Sequence, residues 1–212
     1  NIVCVASAPG TLWVLSDEGR VYIRHGITDA NPCGTQWWKL NLEQISEKVQ
    51  FSHISCGCDV VWACDIRGKI LMMVGAPQTV SSCEFVPVWV TVEGSPRANN
   101  TFTKIFVGPQ SYMVWALDNA GNVYVREAIF PDFLVGTGWV HVDGIKASHL
   151  SISGEAVWAL SKTGVFKRIG ISECNYIGES WLFISGNLDH ISGELVTYWW
   201  FFVTTEIKSV FD

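Results

Sequence analysis

Four tryptophans in this sequence are each followed, six residues later, by a glycine: Trp13 and Gly19, Trp62 and Gly68, Trp115 and Gly121, Trp158 and Gly164. The tryptophans are separated by 49, 53 and 43 residues. Three residues before each glycine stands Ser16, Asp65, Asp118 or Ser161. One spacing held through four copies constrains the fold more than any single motif, because self-similarity at such a period marks a repeat architecture.

The spacing has a physical reading. A Ser or Asp oxygen opens a turn by accepting a backbone N–H two residues on. Glycine closes it where φ must be positive, a conformation that costs a residue with Cβ about 1 kcal/mol or more. Segments such as "VWALDNAGNVYVR" therefore read as two antiparallel strands joined by a bulged hairpin. In "MVWALD" both alternating faces are apolar, so this strand should be covered on both sides.

A second landmark follows. Arg24, Arg126 and Arg168 precede Gly34, Gly136 and Gly178 by ten residues, and Trp37, Trp139 and Trp181 come three residues later. The second repeat is looser and reaches Trp89 through a longer loop without the glycine. With a short strand upstream of each hairpin ("FSHISCG", "FTKIFVG"), every unit reads as four strands, the pattern of a β-propeller blade. The expected fold is all-β: a single, incomplete propeller of four-stranded antiparallel blades, with repeats at 1–49, 50–98, 99–145, 146–186 and a partial, degenerate fifth at 187–212. The residue after each hairpin Trp is Val14, Ala63, Ala116 or Ala159. The indole of one blade is therefore expected to pack on the small-residue face of the next.

Composition narrows the function. Apolar residues make up 49% and charged residues 16%, which argues against disorder. A net charge of −6 disfavours nucleic acid as a partner. The most apolar stretch, 194–212, carries two Glu, a Lys and an Asp, so no transmembrane span is expected. The opening "NIVCVASAPG" reads as a strand at the cut edge of a longer polypeptide, not a signal peptide. The seven cysteines are odd in number and do not recur between repeats, which favours reduced thiols and a cytoplasmic location. Cys56-Gly57-Cys58 lacks the spacing and second ligand pair of a zinc site, so neither metal nor cofactor is expected.

His53, His149 and His190 occupy one place in three repeats and read as consensus positions, converging only if they line a central channel. Asp65 and Asp118 read as turn residues. Arg24, Arg126 and Arg168 either brace blade edges or present a ring of positive charge at one rim. No nucleophile–base pair, phosphate loop or carboxylate pair stands out, so no enzyme and no catalytic residue is expected. Asn99-Asn100-Thr101 is a glycosylation sequon that matters only in a secreted protein. "WFFV" at 200–203 fits a short aromatic-xx-aliphatic pattern of the kind that binds autophagy receptors, but its apolar setting reads as buried.

The combination "VWAL-x-x-x-G-x-V-x-x-R", followed by segments such as "NPCGTQW", resembles the tectonin β-propeller repeat over roughly residues 1–193. The chain is most similar to the intracellular animal members of that family. The resemblance implies a non-enzymatic scaffold in autophagy and in endosomal and secretory trafficking, peripheral on those membranes. Its partners would be proteins of that machinery and the rest of its own longer chain. The alternative it implies is a secreted lectin that binds bacterial or cell-surface carbohydrate. The tail departs from the pattern: Trp199 falls in place, but Thr205 stands where the glycine belongs. Residues 194–212 are either a degenerate blade or alternative sequence.

Overall fold

Each Trp-to-Gly segment folds as the central hairpin of a four-stranded sheet. The first sheet holds β1 (Ile2–Ala8), β2 (Thr11–Ser16), β3 (Val21–His25) and β4 (Gln36–Lys39). The second holds β5 (Phe51–Cys56), β6 (Val61–Asp65), β7 (Ile70–Met73) and β8 (Trp89–Val92). The third holds β9 (Phe102–Val107), β10 (Val114–Asp118), β11 (Val123–Arg126) and β12 (Trp139–Val142). The fourth holds β13 (His149–Ser153), β14 (Ala156–Ser161), β15 (Gly164–Ile169) and β16 (Ser180–Phe183). Within every sheet the strands pair in sequence order and antiparallel. The structure is a computed structural model that describes residues 1–42, 45, 48–75, 87–110, 112–154, 156–172, 174–184, 186 and 188–192. Nearly all of the fifth repeat, with "WFFV" and Thr205, lies outside the described residues, as does Cys83. The described residues are all-β, with no helix among them, and the four sheets form a β-propeller of four blades.

The expected bond to a backbone N–H two residues on forms at the two Asp turns. Ser16 Oγ instead accepts from the Arg20 N–H four residues on at 3.1 Å, and Ser161 Oγ lies 3.4 Å from the Thr163 hydroxyl. Asp118 Oδ1 accepts the backbone N–H of Ala120 at 2.9 Å and of Asn122 at 2.8 Å, and Gly121 donates to the Asp118 carbonyl at 3.0 Å. Asp65 does the same with Arg67 and Lys69 at 2.9 and 2.8 Å. The glycine has a second reason to be there: a Cβ at Gly68 would lie 3.0 Å from the Phe102 nitrogen on the next blade's first strand. Hairpin tip and neighbouring blade touch at this point. In the fourth blade Val165 follows Gly164 directly, one residue sooner than in the other three. Gly164 accordingly pairs with Ser161 inside the ladder, closing a tighter hairpin.

Tryptophans fill the space between sheets. Trp13, Leu15, Val21 and Ile23 of the first blade cluster with Ala63, Val61 and Leu71 of the second. Trp62 lies with Ala116 and Val114 of the third, and Trp115 with Ala159 and Val157 of the fourth. Trp158 packs with Ile191 and Leu188 beyond the fourth sheet. Trp13, Trp62 and Trp115 are fully buried. Each such ring contributes roughly 2–3 kcal/mol of burial, and the small residue opposite leaves room for it.

The far face of the first sheet breaks this series. Val5 pairs across from Val14 as Ile54, Ile105 and Leu150 pair across from Ala63, Ala116 and Ala159. Those three are at most 1% exposed, whereas Val5 is 59% exposed. Ile2 and Trp37 of the same sheet are exposed as well. Among the described residues nothing takes the place on this face that Trp13 takes on the second blade.

Candidate functional site: loop rim and central cavity

The loops between third and fourth strands of the first, third and fourth blades share one frame. In each, a single antiparallel bridge forms a small knuckle: Thr28 with Asn31, Phe130 with Phe133, Ser172 with Asn175. An arginine holds the knuckle from behind. Arg126 donates through Nε to the Val135 carbonyl at 2.8 Å and through Nη2 to the Gly136 carbonyl at 3.1 Å. A third bond, from Nη1 to the Glu93 carbonyl at 2.8 Å, ties the loop to the preceding blade. Arg24 and Arg168 make the first two of these bonds to Cys33 and Gly34, and to Ile177 and Gly178. Each guanidinium also lies over its partner ring, Trp37, Trp139 or Trp181, at 5.1 to 5.5 Å. Burial pulls the pKa of Arg126 and Arg168 down, yet a guanidinium starts so high that both stay charged. These arginines brace loops and are not a ring of free positive charge. In the second blade Met73 stands opposite Trp89 in place of the arginine.

The knuckle tips differ where the frames agree. On the third blade they carry Phe130 and Phe133, both exposed. On the first they carry Asp29, Ala30 and Pro32, and on the fourth Cys174. A constant scaffold with variable exposed tips is the arrangement in which loops carry recognition.

A second feature is a cavity of about 910 Å³ walled by the first strands of all four sheets. His53, Lys104, His149 and His190 line it. The three histidines that recur in the sequence thus do converge. Polar side chains here stitch one blade to the next. Cys4 Sγ donates to the Ile54 carbonyl at 3.2 Å, and Lys104 Nζ to the Ser148 carbonyl at 2.7 Å. His53 Nδ1 accepts the Ile105 N–H at 3.4 Å, and Ser55 Oγ accepts that of Val107 at 3.0 Å. An inner strand is a sheet edge, and these side chains satisfy backbone groups that would otherwise be left open. Burial, and next the Lys104 charge, hold His53 down at about 3. Burial, then His190 and Lys104, hold His149 at about 4.

The remaining candidates make the following contacts. Asp118 also accepts from Asn100 Nδ2 at 2.9 Å and Tyr124 Oη at 3.2 Å. Burial pushes its pKa up, but the hydrogen bonds from Asn122, Asn100 and Ala120 outweigh this and hold it below the usual carboxylate value. The six described cysteines are free thiols. Burial raises Cys4 and Cys56, and pushes Cys64 up to about 12, so these stay protonated and unreactive. Asn99 of the sequon is exposed at a turn with φ of 56°. Among the described residues no group of three or more His, Cys, Asp or Glu is placed to hold a metal, and no helix is long and apolar enough to cross a membrane.

Comparison with known proteins matches this architecture. A family described as "Propeller" fits residues 11–40, and the "Tectonin domain" family fits residues 43–159 and 88–202. The human "Tectonin beta-propeller repeat-containing protein 2" is 34% identical over 164 residues, covering 77% of this chain. The Drosophila melanogaster "Tectonin beta-propeller repeat-containing protein" is 31% identical over 194 residues, covering 86%. The chain spans only 11% and 14% of those relatives' own lengths. Among solved structures, human WBSCR16 superposes with a TM-score of 0.60 at 16% identity, over 92% of this chain and 56% of that one. Yeast RCC1 (Prp20), from its crystal structure with Kap60, gives a TM-score of 0.56 at 12% identity, over 90% and 50%. The fold likeness and the tryptophan–glycine repeat agree with the family match, and the chain belongs to the tectonin β-propeller repeat family.

Proposed function

We propose that this chain is part of a larger propeller that serves as a non-enzymatic scaffold for protein partners in autophagy and in endosomal and secretory trafficking. The observation that carries this reading is the loop rim: identical arginine-braced frames present different exposed tips, and one of them offers Phe130 and Phe133 to solvent. Paired exposed aromatics on a rigid frame suit a protein partner, since aromatic anchors dominate interface energetics. The uncovered first-sheet face around Val5 and Trp37 supports a further blade from the rest of the chain as its immediate neighbour. The free thiols support a reducing, cytoplasmic setting, with any membrane association peripheral.

The test is affinity capture from cell extract with the full-length protein, compared with the same protein carrying Phe130→Ser and Phe133→Ser. Trafficking or autophagy proteins captured by the first and lost with the second are the expected result. Unchanged capture would move the surface elsewhere. Disulfide-paired cysteines in the isolated protein, with retention on a lipopolysaccharide column, would replace the scaffold by the secreted lectin.

A further inference from the structure

We propose that the cavity between the inner strands is a binding site for an oxyanion, phosphate or carboxylate, held by His53, Lys104, His149 and His190. This inference does not rest on the scaffold reading; it comes from register. His53 pairs with Cys64, Lys104 with Leu117 and His149 with Leu160, and each partner lies two residues after its blade's hairpin tryptophan. The three side chains therefore stand at one level on consecutive inner strands. His190, in the same "HIS" context, extends the level beyond the fourth blade, its ring 4.9 Å from that of His149.

The chemistry of this level has one sign. The chain as a whole carries −6, yet no Asp or Glu among the described residues lines the cavity. Lys104 uses its ammonium on the Ser148 carbonyl, a neutral acceptor, so its charge has no anion opposite it there. A cation facing the cavity with only a neutral acceptor keeps donor capacity and charge for an anion from solvent. The Lys104 charge already bears on Cys4, His53 and His149, which places all three within its field.

One imidazole is set as a donor. His53 Nδ1 accepts the Ile105 N–H, so its own proton sits on Nε2. The Phe106 ring lies 5.2 Å from His53 and 5.1 Å from His149 and fixes the orientation of both. Apart from Phe106, the next level of the cavity is small (Ala6, Ser55, Ser151 and Ser192), leaving room for a group the size of phosphate. One fixed N–H donor beside an ammonium, with two further imidazoles at the same level, makes a partly preorganised oxyanion site.

The experiment is a long-range ¹H–¹⁵N imidazole spectrum of the 212-residue chain at pH 7 and fixed ionic strength, titrated with sodium phosphate, sodium acetate or sodium chloride. Saturable shifts of His53, His149 and His190 with phosphate or acetate, and none with chloride, are expected. The anion that saturates at lower concentration tells a phosphate source from a carboxylate source. Lys104→Met should weaken binding at least tenfold, and His190→Asn, at an exposed ring, about threefold. Shifts that track chloride equally overturn the site, and so does unchanged affinity in Lys104→Met. If Lys104→Met does not fold, the decision falls to His190→Asn, where unchanged affinity overturns the site.

Discussion

Trp62 and Trp139, on neighbouring blades, meet edge to face with ring centroids 6.4 Å apart and planes at 78°. One blade further on, Trp115 and Trp181 repeat the contact at 6.4 Å and 74°. The hairpin tryptophan of one unit and the outer-strand tryptophan of the next are thus two halves of one interface, although about 66 to 77 residues separate them in sequence.

Trp115→Ala should cost about 3–5 kcal/mol, since a fully buried indole leaves a cavity between two sheets. Trp181→Ala should cost less, its ring being only partly buried. A double-mutant cycle on the pair, measured by denaturant unfolding, should return a coupling of about 0.5–1.5 kcal/mol. Strict additivity would mean that the ring contact carries no energy of its own.

Arg126→Lys should destabilise by roughly 2–3 kcal/mol, because one ammonium cannot span the three carbonyls that the guanidinium reaches. Arg24→Lys should cost clearly less: that side chain makes two such bonds and its partner Trp37 is exposed. Urea midpoints of the two variants, compared side by side, check the order. Equal losses would contradict the inter-blade role given to the bond with Glu93.

Gly136 has φ of 66°, and a Cβ there would stand 2.4 Å from the Glu127 carbonyl oxygen. Gly154, with φ of 51°, would meet nothing within 4 Å. Gly154→Ala should therefore cost only the backbone term, about 1 kcal/mol, and Gly136→Ala at least twice that. Thermal unfolding of both variants separates conformational cost from steric clash.

Stability should fall on acidification through the channel histidines. His53 is held at about 3 and His149 at about 4, below the ordinary 6.5 of an unfolded chain. Folded pKa values below the unfolded one mean that protons bind the unfolded chain first. Stability is therefore whole above about pH 6.5 and declines as pH drops, until each folded imidazole titrates. The slope approaches about 1.4 kcal/mol per pH unit for each histidine protonated only when unfolded. Lys104 faces both rings, His190 faces His149, and the Cys4 thiol shares their cavity. His53→Gln keeps an acceptor for the Ile105 N–H and should flatten the unfolding midpoint between pH 6 and 4. An unaltered pH profile in that variant would shift the effect to other groups.

Much of the fold was legible in the chain because it depends on local signals repeated in each unit, although the side-chain turn bond two residues on forms only at Asp65 and Asp118. The Ser or Asp and Gly offsets dictate the hairpins, and apolar residues on both faces of each central strand announce burial from two sides. The fourth hairpin departs from that reading: Gly164 pairs with Ser161 inside the ladder, a tighter closure that strand pairing reveals. The cavity was only half legible. Three recurring histidines hinted at it, but Lys104 and Cys4 fill the equivalent places with unrelated side chains, so residue identity hides what register makes plain. The two roles open to the arginines were likewise separated only by the loop carbonyls folded around them. Repetition in sequence records what each blade must do for itself. The level at which side chains from different blades meet is set by strand pairing and by packing between sheets, and those long-range contacts belong to the tertiary structure alone.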